Sequence, residues 1–320
     1  MKRRLFLFFA LLVLLPSCRR PGDYVLLNGY AQGGVYAVKY NAAGVRVPRE
    51  EVAAAVDSLL GKIDRTLSGY NKGSVLSRYN AGEAVGPDAM FDEVWARARA
   101  YREETGGALD CAAAPLFDIW GFGFTDGAAP DEAAVAAALA LAREEKQLNF
   151  NAIAQGYSCD LVASYLRSIG VKDMLVDIGE IFCQGRNPSG KPWTIGVDRP
   201  EDGNMTPGAN LQAVFQASGA PQGIVTSGNY RKFYIRDGRK YAHTIDPRTG
   251  YPVSHNLLSA TLVAPTAMDA DAYATYCMVI GLAEAQAFIL GRDDLEGYLI
   301  YDEDGQMKSW SSPGFEVQVY

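Results

Sequence analysis

The sequence predicts an α+β protein in which antiparallel sheets pack against helices. Some segments carry apolar residues at spacings of three and four, which is typical of amphipathic helices. Other, shorter segments alternate apolar and polar residues, which is typical of half-buried strands. The two kinds of segment do not follow each other as regular strand–helix–strand units, and this argues against a parallel sheet.

The helices are predicted from apolar spacing and from residues that start or stop a helix. Residues 48–67 have apolar residues at helical spacing after Pro48, and proline is well tolerated at the start of a helix. Residues 87–104 repeat the spacing and stop at Gly106 and Gly107. The same reasoning predicts further helices at 130–145, 155–169, 268–280 and 283–290.

The strands are predicted from the change of period to two. Residues 36–40 alternate in this way near the start of the chain, and the pattern returns after Gly170. The predicted strands there are 173–183, 193–197, 211–216, 233–235, 259–263, 298–301 and 306–310.

The first 18 residues have the features of a secretion signal. A charged MKRR segment precedes an apolar run, residues 5–15, that is short for a membrane span. The run ends at Leu-Pro-Ser-Cys18, which resembles a bacterial lipobox with Cys18 as the lipidated residue. Ordinary cleavage nearby with an unmodified Cys18 is the alternative. We therefore expect a signal over 1–18, a tether over 19–28, a domain over 29–320, and lipid anchoring at the periplasmic face of a bacterial membrane.

Charge and cysteine content narrow the classes of partner. The formal net charge of −7 argues against nucleic acid or an anionic membrane surface as the partner, because both need a cationic face. A phosphate-bearing ligand would need a metal ion or backbone N–H groups. The four cysteines after Cys18 lack the close spacing of a zinc site, so buried thiols and disulfides both remain open.

Asp271 and Thr275 are the first candidate for chemistry. Four residues apart in a predicted helix, they project from one face. A carboxylate and a hydroxyl suit Mg²⁺, a hard cation that keeps several waters and binds phosphate oxygens. The same pair is also common on solvated helix faces.

Two further segments offer backbone and polar groups to an anion. Residues 149–157 run from a strand end into a helix start, where N–H groups lack helical partners; an ordinary capped helix is the alternative. Residues 223–231 end an apolar strand with the hydroxyls of Thr226 and Ser227 and the positive charge of Arg231. A plain turn with a surface arginine is the alternative there.

The only two histidines of the chain lie twelve residues apart on one predicted loop. His243 precedes a tight turn set by Pro247 and Gly250. An imidazole is the natural acceptor for the proton of a hydroxyl nucleophile. We expect His243 to be the catalytic base, whereas His255 follows a second turn and has the position of a structural residue.

Together, these segments resemble the ApbE family of FAD:protein FMN transferases. The similarity extends over about residues 29–312, with the motifs in the family's order. They are Gly29–Tyr36, Thr66–Asn80, Leu109–Gly123, Asn151–Tyr157, Val176–Glu180, Thr226–Arg231, His243–Gly250 and the pair Asp271 and Thr275.

The resemblance implies a fold, a reaction and a set of ligands. The fold would be a two-lobed, T-fold-related α+β domain. The reaction would be Mg²⁺-dependent transfer of FMN from FAD to a Thr or Ser hydroxyl of an exported redox protein through a phosphodiester bond, with release of AMP; Mn²⁺ is an alternative ion. The metal would be held by the Ala152 carbonyl, Asp271 and Thr275. FAD would be contacted by Gln32, Tyr70, Ala108, Leu109, Asp110, Asn149, Gln155, Thr226, Ser227, Arg231 and Ile245.

The chain departs from the family pattern at three places. Gln155 stands where many relatives have lysine, Asn149 where aspartate is frequent, and residues 177–180 contain one glycine where two are usual. These changes leave two rival hypotheses open beside FMN transfer. One is an FAD pyrophosphatase that releases FMN and AMP, and the other is a lipoprotein that binds flavin without turning it over.

Overall fold

The structure, a computed structural model, describes residues 23–124, 130–204, 206–230, 233–236 and 239–320. Its helices follow the periodicity seen in the sequence, with bounds that differ from the predicted ones by at most three residues where a helix was predicted. They are α1 (Arg49–Leu67), α2 (Val75–Asn80), α3 (Ala89–Glu104), α4 (Ala114–Ile119), α5 (Glu132–Ala142), α6 (Ala154–Ser168), α7 (Ala267–Ile280) and α8 (Leu282–Leu290).

The strands of the described chain belong to one large sheet and three small ones. In chain order they are β1 (Tyr24–Ala31), β2 (Gly34–Asn41), β3 (Met174–Asp177), β4 (Ile181–Gln184), β5 (Thr194–Asp198), β6 (Leu211–Gln216), β7 (Gln222–Gly228), β8 (Phe233–Arg236), β9 (Arg239–Ala242), β10 (Ile245–Asp246), β11 (Tyr251–Pro252), β12 (Leu257–Ala264), β13 (Glu296–Glu303), β14 (Gln306–Ser311) and β15 (Val317–Val319).

Every pairing between neighbouring strands is antiparallel within the part of the chain that the structure describes. The large sheet has the order β1-β2-β3-β4-β7-β12-β13-β14, and a three-stranded sheet has the order β15-β6-β5. The pairs β8-β9 and β10-β11 are also antiparallel. The predicted α+β class with antiparallel sheets is therefore confirmed.

The large sheet is covered on one face and on part of the other, and the strand alternation shows how. On β7, Val225 packs into the cluster formed with the helices, whereas its neighbour Ile224 packs toward the three-stranded sheet. Leu262 and Val263 on β12 divide in the same way. Helices thus cover one face and the three-stranded sheet covers part of the other, and together they form the larger lobe.

A third cluster forms a smaller lobe around α4 and α5. Leu116, Trp120 and Val135 pack there with Ile245 of β10. The α4 segment is preceded by a 3₁₀ turn, Cys111–Ala113. The sequence predicts none of α2, the 3₁₀ turn and α4, because elements of three to six residues are too short to show a helical period.

Two predicted boundaries are wrong. Residues 173–183 form two strands instead of one, because the chain reverses at Gly179, whose φ of +92° is readily adopted only by glycine. The predicted tether over 19–28 ends too late, since β1 begins at Tyr24 and pairs with β2 along its whole length. Cys18 and the predicted signal lie outside the described residues. Within those residues, no helix combines the length and apolar character that a membrane crossing requires.

Candidate active site

One cavity of about 1120 Å³ brings the candidate residues together. Its walls contain residues of both lobes, such as Leu60 of the larger one and Ile245 of the smaller one. Arg231 lies outside the described residues. The described candidates all line the cavity: Gln32, Tyr70, Ala108, Leu109, Asp110, Asn149, Ala152, Gln155, Thr226, Ser227, His243, Ile245, Asp271 and Thr275.

Asp271 is placed by the close approach of α7 to its neighbours. A Cβ atom on Gly156 of α6 would lie 2.3 Å from the Ala267 carbonyl oxygen, and one on Gly223 of β7 would lie 2.2 Å from the Ala267 Cα. The start of α7 therefore fits between α6 and β7 only because both positions are glycine. One turn later, Asp271 reaches the cavity.

The Asp271 carboxylate is buried in the cavity wall. Its residue is 4% exposed, which rules out the solvated-face interpretation of the Asp271 and Thr275 pair. The Gly156 N–H donates to its Oδ2 at 3.1 Å. Burial raises the pKa of Asp271 well above its usual range, and the nearby Asp160 raises it further. A cation bound here would stabilise the charged form.

Thr275 and the hydroxyls of β7 lie beside this carboxylate. Thr275 follows Asp271 by one helical turn, and its Oγ1 is 3.4 Å from the Oγ of Ser227. The neighbouring Thr226 is hydrogen-bonded to Thr261 at 2.8 Å across the sheet. These groups present neutral oxygen atoms next to one buried carboxylate.

The segment before α6 contributes Ala152, Asn149 and Gln155. Ala152 lies in the turn that leads into α6. The Asn149 Oδ1 accepts a hydrogen bond from the Asn151 N–H at 2.9 Å, and the Gln155 Nε2 donates to the Ile178 carbonyl at 3.2 Å. Asn149 and Gln155, the two residues here that depart from the family pattern, thus form hydrogen bonds to backbone groups near the cavity.

Asp110 is held through both oxygens of its carboxylate. It caps the 3₁₀ turn by accepting from the Ala112 N–H at 2.9 Å, and it forms an ion pair with Arg102 at 3.1 Å. Burial raises the pKa of Asp110, although the backbone hydrogen bond and Arg102 oppose that change. Ala108 and Leu109 precede it and are buried.

Tyr70 and Gln32 lie at the rim. Tyr70 is 62% exposed and packs its ring against the edge of Phe124, with 5.1 Å between centroids. An exposed aromatic ring at a cavity mouth is suited to stacking on a planar ligand. The Gln32 Nε2 donates to the Ser158 hydroxyl, which ties the β1–β2 turn to α6.

His243 lies half-buried on the loop between β9 and β10, against the edge of Phe122 with 6.3 Å between ring centroids. The loop is fixed on both sides. Thr244 donates to the Asn229 side chain at 2.5 Å, and the Trp120 indole N–H donates to the Gly250 carbonyl at 2.8 Å. His243 is therefore presented to the cavity by a well-anchored turn.

His255 has the structural role expected for it. It does not line the cavity. Its Nε2 is 2.9 Å from the Met278 carbonyl oxygen, and its Nδ1 accepts from the Leu257 N–H at 3.3 Å. These two partners require the neutral tautomer with the proton on Nε2.

The charge of the cavity bears directly on the implied Mg²⁺. Among the described residues that line it, Asp57, Asp64, Asp110, Glu180 and Asp271 are acidic and none is lysine or arginine. An anionic diphosphate would be repelled by such walls unless a cation accompanied it. The described residues contain no group of three or more His, Cys, Asp or Glu that could chelate a metal alone. One carboxylate with neutral oxygens fits Mg²⁺, which retains waters and shares phosphate oxygens.

Sequence reasoning missed several residues of the cavity wall. Asp57 and Asp64 come from the polar face of α1, where nothing in the sequence separates them from ordinary solvated residues. Phe122, beside His243, lies within a motif quoted above but was not singled out. Tyr30, at the β1–β2 turn, was not singled out either.

Comparisons with known proteins agree on one family. A model described as the ApbE family matches residues 33–299. The FAD:protein FMN transferase of Haemophilus influenzae is 30% identical, over 96% of this chain and 95% of that protein. Two solved structures are similar: flavin transferase ApbE from Vibrio cholerae (TM-score 0.80, 29% identity, 92% of this chain and 99% of that one) and apo flavinyl transferase ApbE from Pseudomonas stutzeri (TM-score 0.80, 31% identity, 91% and 95%).

Proposed function

The chain belongs to the ApbE family, and from that premise we propose that it transfers FMN from FAD to a hydroxyl of a protein acceptor. The observation that carries this proposal is the single cavity in which a buried carboxylate, neighbouring hydroxyls and one anchored imidazole meet. Two relatives that match this chain over nearly their full length are named FAD:protein FMN transferase, and this supports the same reaction.

The proposed chemistry is an attack on the FAD diphosphate. The oxygen of an acceptor Thr or Ser bonds to the FMN phosphorus, the bond from that phosphorus to the bridging oxygen breaks, and AMP leaves with that oxygen. His243 takes the hydroxyl proton as the new bond forms. Tyr70 stacks on a ring of the substrate at the rim.

Asp271, Thr275 and the Ala152 carbonyl are the groups that would hold Mg²⁺. When bound, the ion neutralises the diphosphate charge and stabilises the leaving phosphate. The acidic walls favour this contribution, because the described residues of the cavity offer the anion no cationic side chain. The lipobox-like sequence at Cys18 supports an enzyme anchored at the periplasmic face, acting on exported redox proteins.

A labelling experiment tests this function. The chain is incubated with FAD, MgCl₂ and an envelope extract from cells that lack its gene, and proteins are then separated on a denaturing gel. We expect one or more flavin-fluorescent bands, and peptide mass spectrometry should place FMN on Thr or Ser. Samples with EDTA and with Asp271→Asn serve as controls and should show no flavin-fluorescent band.

The same samples separate transfer from its rivals. Chromatography of the small molecules should show AMP in amounts matching the labelled acceptor and little release without extract. AMP and FMN released equally fast without any acceptor would identify a pyrophosphatase. FAD that stays bound and intact while nothing is labelled would identify a flavin-binding protein and would falsify the transferase proposal.

A further inference from the structure

The β1–β2 hairpin ends at the rim of the cavity. Its turn residues Gln32 and Gly33 have positive φ values of 52° and 81°, as a tight turn between antiparallel strands requires. Both residues line the cavity, together with Tyr30 and Ala31. The hairpin turn therefore forms part of the cavity wall, and the exposed Gly33 places this part of the wall at the protein surface.

The outer face of this hairpin is apolar and exposed near its turn. One face, with Leu27, Tyr36 and Val38, is buried in the core. The opposite face carries Leu26, Tyr30 and Val35, which are 42%, 74% and 74% exposed, and it also carries Asn28 between the first two and Lys39 opposite Leu26. Tyr30 and Val35 are direct cross-strand partners, so their side chains lie side by side.

Among the described residues, a ring contact covers the far end of that face. Tyr24, at the start of β1, packs against Trp193, with 6.2 Å between ring centroids. Toward the turn, Tyr30 and Val35 have no such cover, as their exposure shows. In addition, β1 is the outer strand of the large sheet. An exposed aromatic and aliphatic pair beside a sheet edge is typical of a surface that receives another chain.

We propose that this outer hairpin face, formed by Leu26, Tyr30 and Val35, docks the segment of the acceptor protein that carries the modified hydroxyl. The proposal rests on FMN transfer to a protein, and it names the surface that delivers the hydroxyl. The acceptor is the occupant because the outer hairpin face is continuous with the cavity. Tyr30 belongs both to that face and to the cavity wall. A chain seated on Val35 and Tyr30 leads directly into the cavity.

The geometry also gives the chemistry of the partner. An extended chain advances about 3.3 Å per residue, so an apolar side chain resting on Tyr30 or Val35 lies within a few residues of a group that enters the cavity. We infer that acceptors carry an apolar residue close to the modified Thr or Ser. The hairpin would recognise that residue while the cavity recognises FAD.

The test compares two pairs of variants in the full chain. Tyr30→Ser with Val35→Ser removes the apolar pair from the outer hairpin face. Val319→Ser with Tyr320→Ser removes a similar pair, 50% and 67% exposed, that does not line the cavity. The substrates are FAD with MgCl₂ and the purified acceptor identified by labelling with the wild-type chain. Initial labelling rates at varied acceptor concentration give KM and kcat, and flavin fluorescence gives the Kd for FAD.

We expect the hairpin pair to raise the KM for the acceptor about tenfold, as loss of a moderate binding hot spot does. The control pair should match wild type. Val35→Ser alone, at a residue outside the cavity wall, should raise the KM without touching FAD binding, and it serves if the double variant does not fold.

Each other outcome overturns the docking surface. An unchanged acceptor KM in a folded hairpin variant refutes it while leaving FMN transfer intact. A weaker Kd for FAD in Val35→Ser would assign the hairpin to the nucleotide instead. If the wild-type chain labels no acceptor at all, the proposed function fails and the docking surface fails with it.

Discussion

At the scale of single residues, the two histidines show how surroundings assign a role to one side-chain type. His243 lies at the cavity on a turn tied down by Thr244 and by the carbonyl of Gly250. His255 is half-buried and is held between a carbonyl and an N–H group. A base must exchange a proton with a ligand. His255 cannot do so while both of its ring nitrogens are hydrogen-bonded to the backbone.

Replacement of His243 tests its role as the base. His243→Ala should slow acceptor labelling by about 10²–10⁴-fold, the usual contribution of a general base. The Kd for FAD should stay within a few-fold of wild type, because the base acts on the acceptor hydroxyl. Labelling rates and flavin fluorescence measure the two quantities. A variant that labels at the wild-type rate would remove His243 from the mechanism.

His255 should affect stability rather than activity. Burial lowers the pKa of His255 below its ordinary 6.5, so below pH 6.5 the unfolded chain takes up a proton before the folded chain does. The stability that His255 contributes is complete above pH 6.5 and is lost as the pH falls. The free energy of unfolding should therefore decrease toward pH 5, by at most about 1.4 kcal/mol per pH unit for this one group.

His255→Gln removes this proton uptake while keeping an amide that can donate to Met278. Its free energy of unfolding should depend less on pH between 7 and 5 than that of the wild type. Urea unfolding at several pH values measures the difference, and pH 8, where the imidazole is neutral in both states, serves as the reference. Equal slopes for the two proteins would show that His255 is not buried as a neutral group.

At the scale of elements, the start of α7 decides where the metal-binding candidates lie. Thr266 caps the helix by accepting from the Asp269 N–H at 3.0 Å, and Asp160 of α6 accepts from the Ala267 and Met268 N–H groups at 2.8 and 2.9 Å. Glycines on α6 and β7 allow this close contact. The position of Asp271 therefore depends on small residues outside its own helix.

Two glycine-to-alanine variants separate packing from helix propensity. Gly156→Ala places a Cβ against backbone atoms of α7 and should destabilise the protein by about 1–3 kcal/mol or more, with loss of labelling as Asp271 moves. Gly61→Ala, in the middle of α1, meets only the end of the Arg65 side chain at 3.2 Å. It should stabilise the protein by about 0.5–1 kcal/mol, as alanine does in a helix interior. Thermal unfolding measures both, and equal shifts in Tm would contradict the packing argument.

At the scale of the whole molecule, the cavity lies between two lobes and carries a strongly negative wall. Ligand binding should therefore stabilise both lobes together, and it should depend on a cation. FAD at about 100 times its Kd should raise the free energy of unfolding by about 2.7 kcal/mol. We expect that level with MgCl₂ and a smaller one with EDTA at the same FAD concentration.

Asp271→Asn serves as the matched control for this effect. It removes one negative charge and one metal ligand, so FAD should stabilise the variant similarly with MgCl₂ and with EDTA. Differential scanning fluorimetry with a dye that does not overlap flavin emission, or circular dichroism, measures the shifts. If FAD stabilises the wild type equally with MgCl₂ and with EDTA, the result would contradict a metal in the cavity.

The sequence by itself determined the features that depend on neighbours along the chain. Helical spacing gave α1, α3, α6 and α7 nearly to the residue, and it put Asp271 and Thr275 on one face. The ordered motifs carried the resemblance to the family. Each of these rests on contacts within one or two helical turns or on local residue order, which a linear sequence records.

Only the tertiary structure decided which of those residues meet. The burial of Asp271, the common cavity of His243 and Asp271, the acidic residues supplied by α1 and the exposed outer hairpin face all arise from elements far apart in the chain. Asp57 on α1 looks the same in sequence whether it faces solvent or a substrate. Such properties depend on distance and burial, which are set by packing. Packing brings together segments that are far apart in the chain, and the linear sequence does not show which segments these are.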